Sequence, residues 1–139
     1  MSRWNEAWQP LFERFGKLNG MWPTRGWTWD NRFNCVTSSF TVEQEKAARA
    51  AVAELFVEQW SASTIARAPA ALREVAERTG GVRSGQVVLA TATTAGLTGF
   101  GLWWPWGDGE TISLRVGMLE ADPAKEPYNK FRDLFGVTF

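Results

Sequence analysis

The densest group of side chains with functional potential is a short aromatic and acidic run: Trp103, Trp104, Trp106, Asp108 and Glu110. Tryptophan is enriched at binding hot spots because its flat ring gives a large contact area, and polar side chains usually form the rim around such anchors. We therefore interpret these five residues as a candidate surface for a protein partner. The structural alternative is a turn folded back so that Trp106 covers the end of a sheet.

A second aromatic cluster comes earlier in the chain and consists of Trp22, Trp27 and Trp29. Rings of this kind stack on a sugar or another planar ligand when they line a cleft with polar neighbours. The neighbours that the sequence offers are Arg25, Asp30 and Asn31. A corner of the hydrophobic core is the alternative interpretation, and it requires no ligand.

The residue types that usually perform catalysis are scarce. Histidine is absent from all 139 residues, which removes the commonest general base and metal ligand. Cys35 is the only cysteine, so no intramolecular disulfide forms, and a nucleophilic role would require a neighbouring base. The loop acids Asp30, Asp108 and Glu110 have no spacing that holds two of them as a catalytic pair. We therefore expect no catalytic residue, metal or cofactor.

Composition limits the possible partners. The chain has 15 basic and 15 acidic residues, so it lacks the excess of positive charge that neutralises phosphates, and we expect no nucleic-acid binding. No apolar run is long enough to span a bilayer, and the start of the chain does not have the pattern of a signal peptide. We expect a cytoplasmic protein without a membrane partner, folded as a single domain over 1–139.

Three strands are predicted between residues 86 and 118, and they form a meander. The third is the clearest, because Ile112, Leu114, Val116 and Met118 alternate with smaller or polar residues. The strand before it spans 97–104, and a turn rich in proline and glycine joins the two.

The middle strand carries Gly99 and Gly101 on the same face. Two glycines side by side leave bare backbone, so another group can approach closely there. We expect this glycine strip to accept either a packed helix or a ligand. In the second case Gly99 and Gly101 belong to a ligand site.

The remaining elements are mostly helical. Apolar residues at helical spacing predict helices over 3–18, 41–60 and 69–80 and a short helix at 128–135. The first of these has an apolar stripe formed by Trp4, Trp8, Leu11, Phe12, Phe15 and Leu18. Short strands are predicted at 27–29 and 33–40. Helices grouped apart from strands predict an α+β domain, with one antiparallel sheet of four to five strands and helices packed mainly on one face.

The hairpin of the meander resembles a known class of protein. The residues that carry this similarity are 99–103 (GFGLW), Asp108-Gly109 and 113–117 (SLRVG). They resemble the terminal hairpin of small α+β immunity proteins from bacterial polymorphic toxin systems. The resemblance implies a cytoplasmic inhibitor that binds and neutralises a cognate toxin.

Three functions are therefore open at this stage. The first is a non-enzymatic protein-binding domain, most concretely an immunity-type inhibitor. The second is a small-ligand or carbohydrate-binding domain with an aromatic cleft. The third is an enzyme that works with carboxylates alone.

Overall fold

The computed structural model describes residues 3–24, 26–94, 96–119 and 126–137. The α-helices within these ranges are α1 (Arg3–Met21), α2 (Glu45–Leu55), α3 (Ala70–Arg78) and α4 (Glu126–Leu134). The strands are β1 (Thr28–Asp30), β2 (Cys35–Thr41), β3 (Glu58–Trp60), β4 (Val87–Ala90), β5 (Thr98–Pro105) and β6 (Thr111–Leu119).

The strands form one open antiparallel sheet in the order β1-β2-β6-β5-β4-β3. The centre of the sheet is the β5–β6 hairpin, which pairs from Thr98 opposite Leu119 to Pro105 opposite Ile112. Because β4 pairs with β5, the predicted C-terminal meander is confirmed. The predicted α+β class with a single antiparallel sheet is also confirmed.

One face of the sheet is covered by α1, α2 and α4. The apolar stripe predicted for the first helix packs here through Trp8, Leu11, Phe12, Phe15 and Leu18, which are all buried. The side chain of Trp4, which was predicted to extend this stripe, lies outside the described residues. Ile112, Leu114, Val116 and Met118 of β6 face the same core, as the alternation of that strand predicts.

Of the four described α-helices, α3 is the one that packs on the other face. Leu72, Val75 and Ala76 of this helix pack on Phe100 and Leu102 of β5. The prediction that the helices pack mainly on one face therefore holds for three of the four described α-helices. Since α3 is only 9 residues long, it covers part of this second face and leaves polar residues of β2 exposed, including Ser39 and Thr41.

The number of strands and one helix boundary differ from prediction. The sheet has six strands, and its edge strands β1 and β3 contain 3 residues each. The predicted helix over 41–60 ends at Leu55, and β3 follows it. β4 would otherwise present unpaired backbone groups, so Glu58 pairs with Ala90 and the N–H of Val57 donates to the carbonyl of Ala90 at 2.9 Å.

Candidate binding surface at the hairpin tip

The turn between β5 and β6 holds Trp106 in a fixed position at the surface. The side chain of Trp106 is 53% exposed. Its indole N–H donates to Oγ of Ser113 at 2.6 Å, and its backbone N–H donates to the carbonyl of Thr111 at 2.8 Å. One hydrogen bond therefore positions the ring and the other positions the backbone.

Asp108 shapes the same turn with its carboxylate. Oδ1 accepts hydrogen bonds from the backbone N–H groups of Glu110 and Thr111, both at 2.9 Å, and Oδ2 accepts from the hydroxyl of Thr111 at 2.8 Å. These bonds, led by the one from Glu110, lower the pKa of Asp108. Asp108 is thus engaged within the turn, whereas the exposed Glu110 offers its carboxylate to solvent.

A second apolar side chain lies beside the turn. The backbone N–H of Val42 donates to the carbonyl of Glu110 at 2.9 Å, which brings the end of β2 to the tip of the hairpin. Val42 is 46% exposed, and the carboxylate-bearing Glu43 beside it is also exposed. We call Val42, Glu43, Trp106 and Glu110 the tip patch.

The other two tryptophans of the predicted surface are placed differently. Trp103 is only 3% exposed and packs against Phe40, with the guanidinium of Arg49 4.8 Å from the centre of its ring. Trp103 is therefore a core residue, because its side of β5 lies beneath helices. Trp104 is half-buried on the opposite face and lies across from Ser113 in the pairing of β5 with β6. It borders the hairpin tip.

Trp22 and Trp27 are buried together, with ring centres 5.1 Å apart. The indole N–H of Trp22 donates to Ser38 at 2.9 Å, and that of Trp27 donates to Asn19 at 3.0 Å. These rings form one wall of a groove of about 480 Å³. Their polar atoms are already engaged within the protein, as is usual for core tryptophans.

The remaining members of that predicted cluster do not reach the groove. Trp29 is half-buried and packs edge-on against Tyr128, with ring centres 6.0 Å apart. Asp30 binds Arg32, Asn31 is exposed in the turn after β1, and Arg25 lies outside the described residues. The structure therefore brings two of the three tryptophans together and separates the third.

The glycine strip is occupied by the core. A Cβ atom at Gly99 would lie 2.9 Å from Cζ of Phe15, and one at Gly101 would lie 2.8 Å from Cζ of Phe56. Both glycines are buried, so the ligand interpretation of Gly99 and Gly101 is wrong. The close approach was anticipated from the sequence, and aromatic side chains from the helical layer provide it.

The residues with chemical reactivity are also engaged in the fold. Burial raises the pKa of the Cys35 thiol to about 12, which keeps it protonated. Burial would raise the pKa of Asp30 as well, but hydrogen bonds and charge from Arg32, with a further hydrogen bond from Arg115, outweigh this effect and lower it. In the described part of the chain, no group of three or more acids or cysteines is arranged to hold a metal ion.

Two residues of this surface escaped sequence reasoning. Val42 falls within the predicted helix over 41–60, and Ser113 falls within the alternating strand. An isolated polar residue on a central strand is a weak signal for a hydrogen-bond partner, and only the fold of the turn identifies that partner as Trp106.

Comparisons of the chain with protein-family models, curated proteins and solved structures gave no match. Among the helices in the described ranges, none is long and apolar enough to cross a membrane. The assignment of the site therefore depends on geometry.

Proposed function

We propose that this chain is a non-enzymatic domain that recognises another protein through the tip patch. The observation that carries the proposal is the half-exposed Trp106 ring, which is held by its hydrogen bond to Ser113. A ring fixed before association loses little conformational entropy on binding, so more of its contact energy appears as affinity. Tryptophans in such positions are typical hot-spot anchors.

The composition of the tip patch indicates the chemistry of the partner. Trp106 and Val42 provide an apolar centre, and Glu43 and Glu110 provide exposed negative charge beside it. The complementary surface is an apolar pocket with lysine or arginine at its rim. Opposite charges at a rim raise the association rate and align the partners.

The surface next to the tip patch can enlarge the contact. A stable interface covers about 800 Å² on each partner, which is more than a single turn provides. Ser39 and Thr41 of β2 lie exposed on the face that α3 leaves open. Oγ of Ser39 is 3.0 Å from Oγ of Ser113, so this hydroxyl-lined strip is continuous with the support of Trp106.

The finer proposal is an immunity-type inhibitor that neutralises a bacterial toxin in the cytoplasm. It is supported by the resemblance of 99–103, Asp108-Gly109 and 113–117 to the hairpin of such proteins. An inhibitor acts by occupying the surface of its target, so it needs no catalytic group. The engagement of Cys35, Asp30 and Asp108 within the fold agrees with this requirement.

A second candidate is a small-ligand binding domain, favoured by the groove of about 480 Å³ beside Trp22 and Trp27. A planar ligand in this groove would contact the edges of the two rings and the side chains of Asn19 and Thr24. Intrinsic tryptophan fluorescence distinguishes the two functions, because only the groove interpretation predicts a saturable response to a panel of sugars and aromatic compounds.

The experiment that tests the leading proposal is affinity capture from the native host with three forms of the chain. The wild type and Val57→Ala should capture the same protein, and Trp106→Ala should capture little of it. Val57 is a matched control because it is an apolar residue, 62% exposed, just before the edge strand β3, whereas the tip patch lies at the turn between the central strands β5 and β6. Equal capture by all three forms would contradict the role of the tip patch.

A further inference from the structure

A cavity of about 280 Å³ lies at the end of the β5–β6 hairpin opposite the tip patch. Its apolar floor includes Phe100 of β5, Leu119 of β6 and Val75 of α3, which belong to the core beneath α3. Its rim carries side chains from the turn before β2, from α3 and from α4: Phe33, Asn34, Glu74, Arg78 and Tyr128. The cavity is slightly smaller than the roughly 300–1,000 Å³ typical of ligand sites, so it suits a molecule with one ring or a short aliphatic chain.

Two polar groups at this rim have no partner within the described part of the chain. The guanidinium of Arg78 makes no ion pair or hydrogen bond there, and neither does the side-chain amide of Asn34. The carboxylate of Asp30, at the end of β1, is already held by Arg32 and Arg115. It therefore does not neutralise Arg78.

The positive charge of Arg78 acts on the cavity wall. Burial raises the pKa of Tyr128 to about 12; the hydrogen bond with the backbone of Met118 opposes that rise, as do the charges of Arg132 and, to a smaller extent, Arg78. The hydroxyl of Tyr128 itself donates to the carbonyl of Met118 at 2.9 Å and accepts from its backbone N–H at 3.1 Å. The Tyr128 hydroxyl therefore makes its hydrogen bonds within the protein, and its ring forms a fixed wall of the cavity. The side chains of Arg78 and Asn34 remain as the groups able to bind a ligand.

We propose that this cavity binds a small organic monoanion, such as a carboxylate attached to an apolar body. The guanidinium of Arg78 and the amide of Asn34 bind the charged end, because charge-assisted hydrogen bonds to arginine are among the strongest in proteins. The apolar body lies on Phe100 and Leu119. Glu74, one helical turn before Arg78, disfavours a second negative charge on the ligand. This inference is independent of the tip patch.

Leucine methyl groups provide a direct readout. Leu119 lies in the floor of the cavity, whereas Leu18 of α1 is buried in the core on the opposite face of the sheet and is an internal reference. With ¹³C-methyl leucine, phenylacetate should shift the Leu119 signal to saturation and leave the Leu18 signal unchanged. The neutral isostere phenylacetamide should bind at least about tenfold more weakly, because it lacks the charge that Arg78 recognises.

Two variants on the same helix complete the test. Arg78→Ala should weaken phenylacetate binding by about tenfold or more, and Arg73→Ala should not change it, since Arg73 lines a different groove. Thermal melting of both variants near that of the parent verifies that they are folded. The proposal is overturned if Leu119 shows no saturable shift up to the solubility limit of phenylacetate. It is also overturned if Arg78→Ala binds as tightly as the parent.

Discussion

The indole N–H of Trp106 donates a 2.6 Å hydrogen bond to the hydroxyl of Ser113, on the strand that follows the turn. Ser113 is buried, and its oxygen also lies 3.0 Å from that of Ser39 on β2. A ring at the tip of a hairpin can therefore be half-exposed and still be fixed to the centre of the sheet. This relationship separates Trp106 from an ordinary surface tryptophan.

Removing the hydroxyl of Ser113 should loosen the ring without removing it. We expect Ser113→Ala to lower the free energy of unfolding by about 1 kcal/mol, the usual net value of a hydrogen bond. It should also weaken partner binding, because ordering the ring then has an entropic cost. Urea unfolding and a binding titration measure the two effects. Ser63→Ala in an exposed turn serves as the control. Unchanged affinity in Ser113→Ala would show that the fixed position of the Trp106 ring is irrelevant to partner binding.

The glycine strip should tolerate no additional carbon atom. A Cβ at Gly101 would meet Phe56 at 2.8 Å and Leu89 at 3.2 Å, so Gly101→Ala should destabilise the fold by about 1–3 kcal/mol through overpacking. Gly107 in the hairpin turn has no atom within 4 Å of such a Cβ. Gly107→Ala is therefore the matched control and should stay within about 0.5 kcal/mol of the parent. Equal stability of the two variants would contradict the packing described for β5.

Asp108 should make stability depend on pH in the acid range. The pKa of its carboxylate is lower in the folded chain than the ordinary value of 3.8. Its contribution to stability is therefore fully present above about pH 4 and is lost as the pH falls through the folded-state value. Asp108→Asn should melt below the parent at pH 7, and the difference should shrink as the solution is acidified.

A carboxylate outside the turn provides the comparison for Asp108. Glu77 is exposed on α3, and its side chain accepts no hydrogen bond from any residue in the described ranges. Glu77→Gln should melt close to the parent at pH 7. If Asp108→Asn also follows the parent, the three hydrogen bonds of its carboxylate do not stabilise the turn.

Cys35 should be inert in the folded protein. Burial raises the pKa of its thiol from 9.0 to about 12, which lowers the thiolate fraction on the order of a thousandfold, and access to the sulfur is blocked as well. A thiol electrophile should therefore label native Cys35 far more slowly than it labels a model thiol, and urea should restore normal reactivity. Rapid labelling of the native chain would indicate an accessible thiol and reopen a nucleophilic role.

Local patterns in the sequence were sufficient to predict the strands at the centre of the fold. The alternation of Ile112, Leu114, Val116 and Met118 identified β6 and its buried face, because the side-chain period of a strand is independent of its neighbours. The paired glycines of β5 indicated a close approach. They could not indicate whether a ligand or Phe15 and Phe56 would provide it, since that depends on how distant segments pack.

The structure differs from the prediction where backbone pairing between strands outweighs the helical periodicity of the apolar residues. Residues 56–60 continue an apolar helical pattern, yet they extend along β4 because an open edge of the sheet offers hydrogen bonds. The tip patch has the same origin. Val42 joins Trp106 only because β2 pairs with β6, and the carbonyl of Glu110 then receives the N–H of Val42. Sequence spacing contains no information about that contact.

The central claim is that Trp106 serves binding and Trp103 serves the core. The most direct test measures thermal stability and partner affinity together for Trp106→Ala and Trp103→Ala. Trp103→Ala should lose about 3–5 kcal/mol of stability, because its ring is buried against Phe40. Trp106→Ala should lose only about 1–2 kcal/mol of stability, yet it should weaken the complex by about thirtyfold or more. If Trp106→Ala binds as tightly as the parent, or is as unstable as Trp103→Ala, the hairpin tip is a structural feature and the proposed binding surface is wrong.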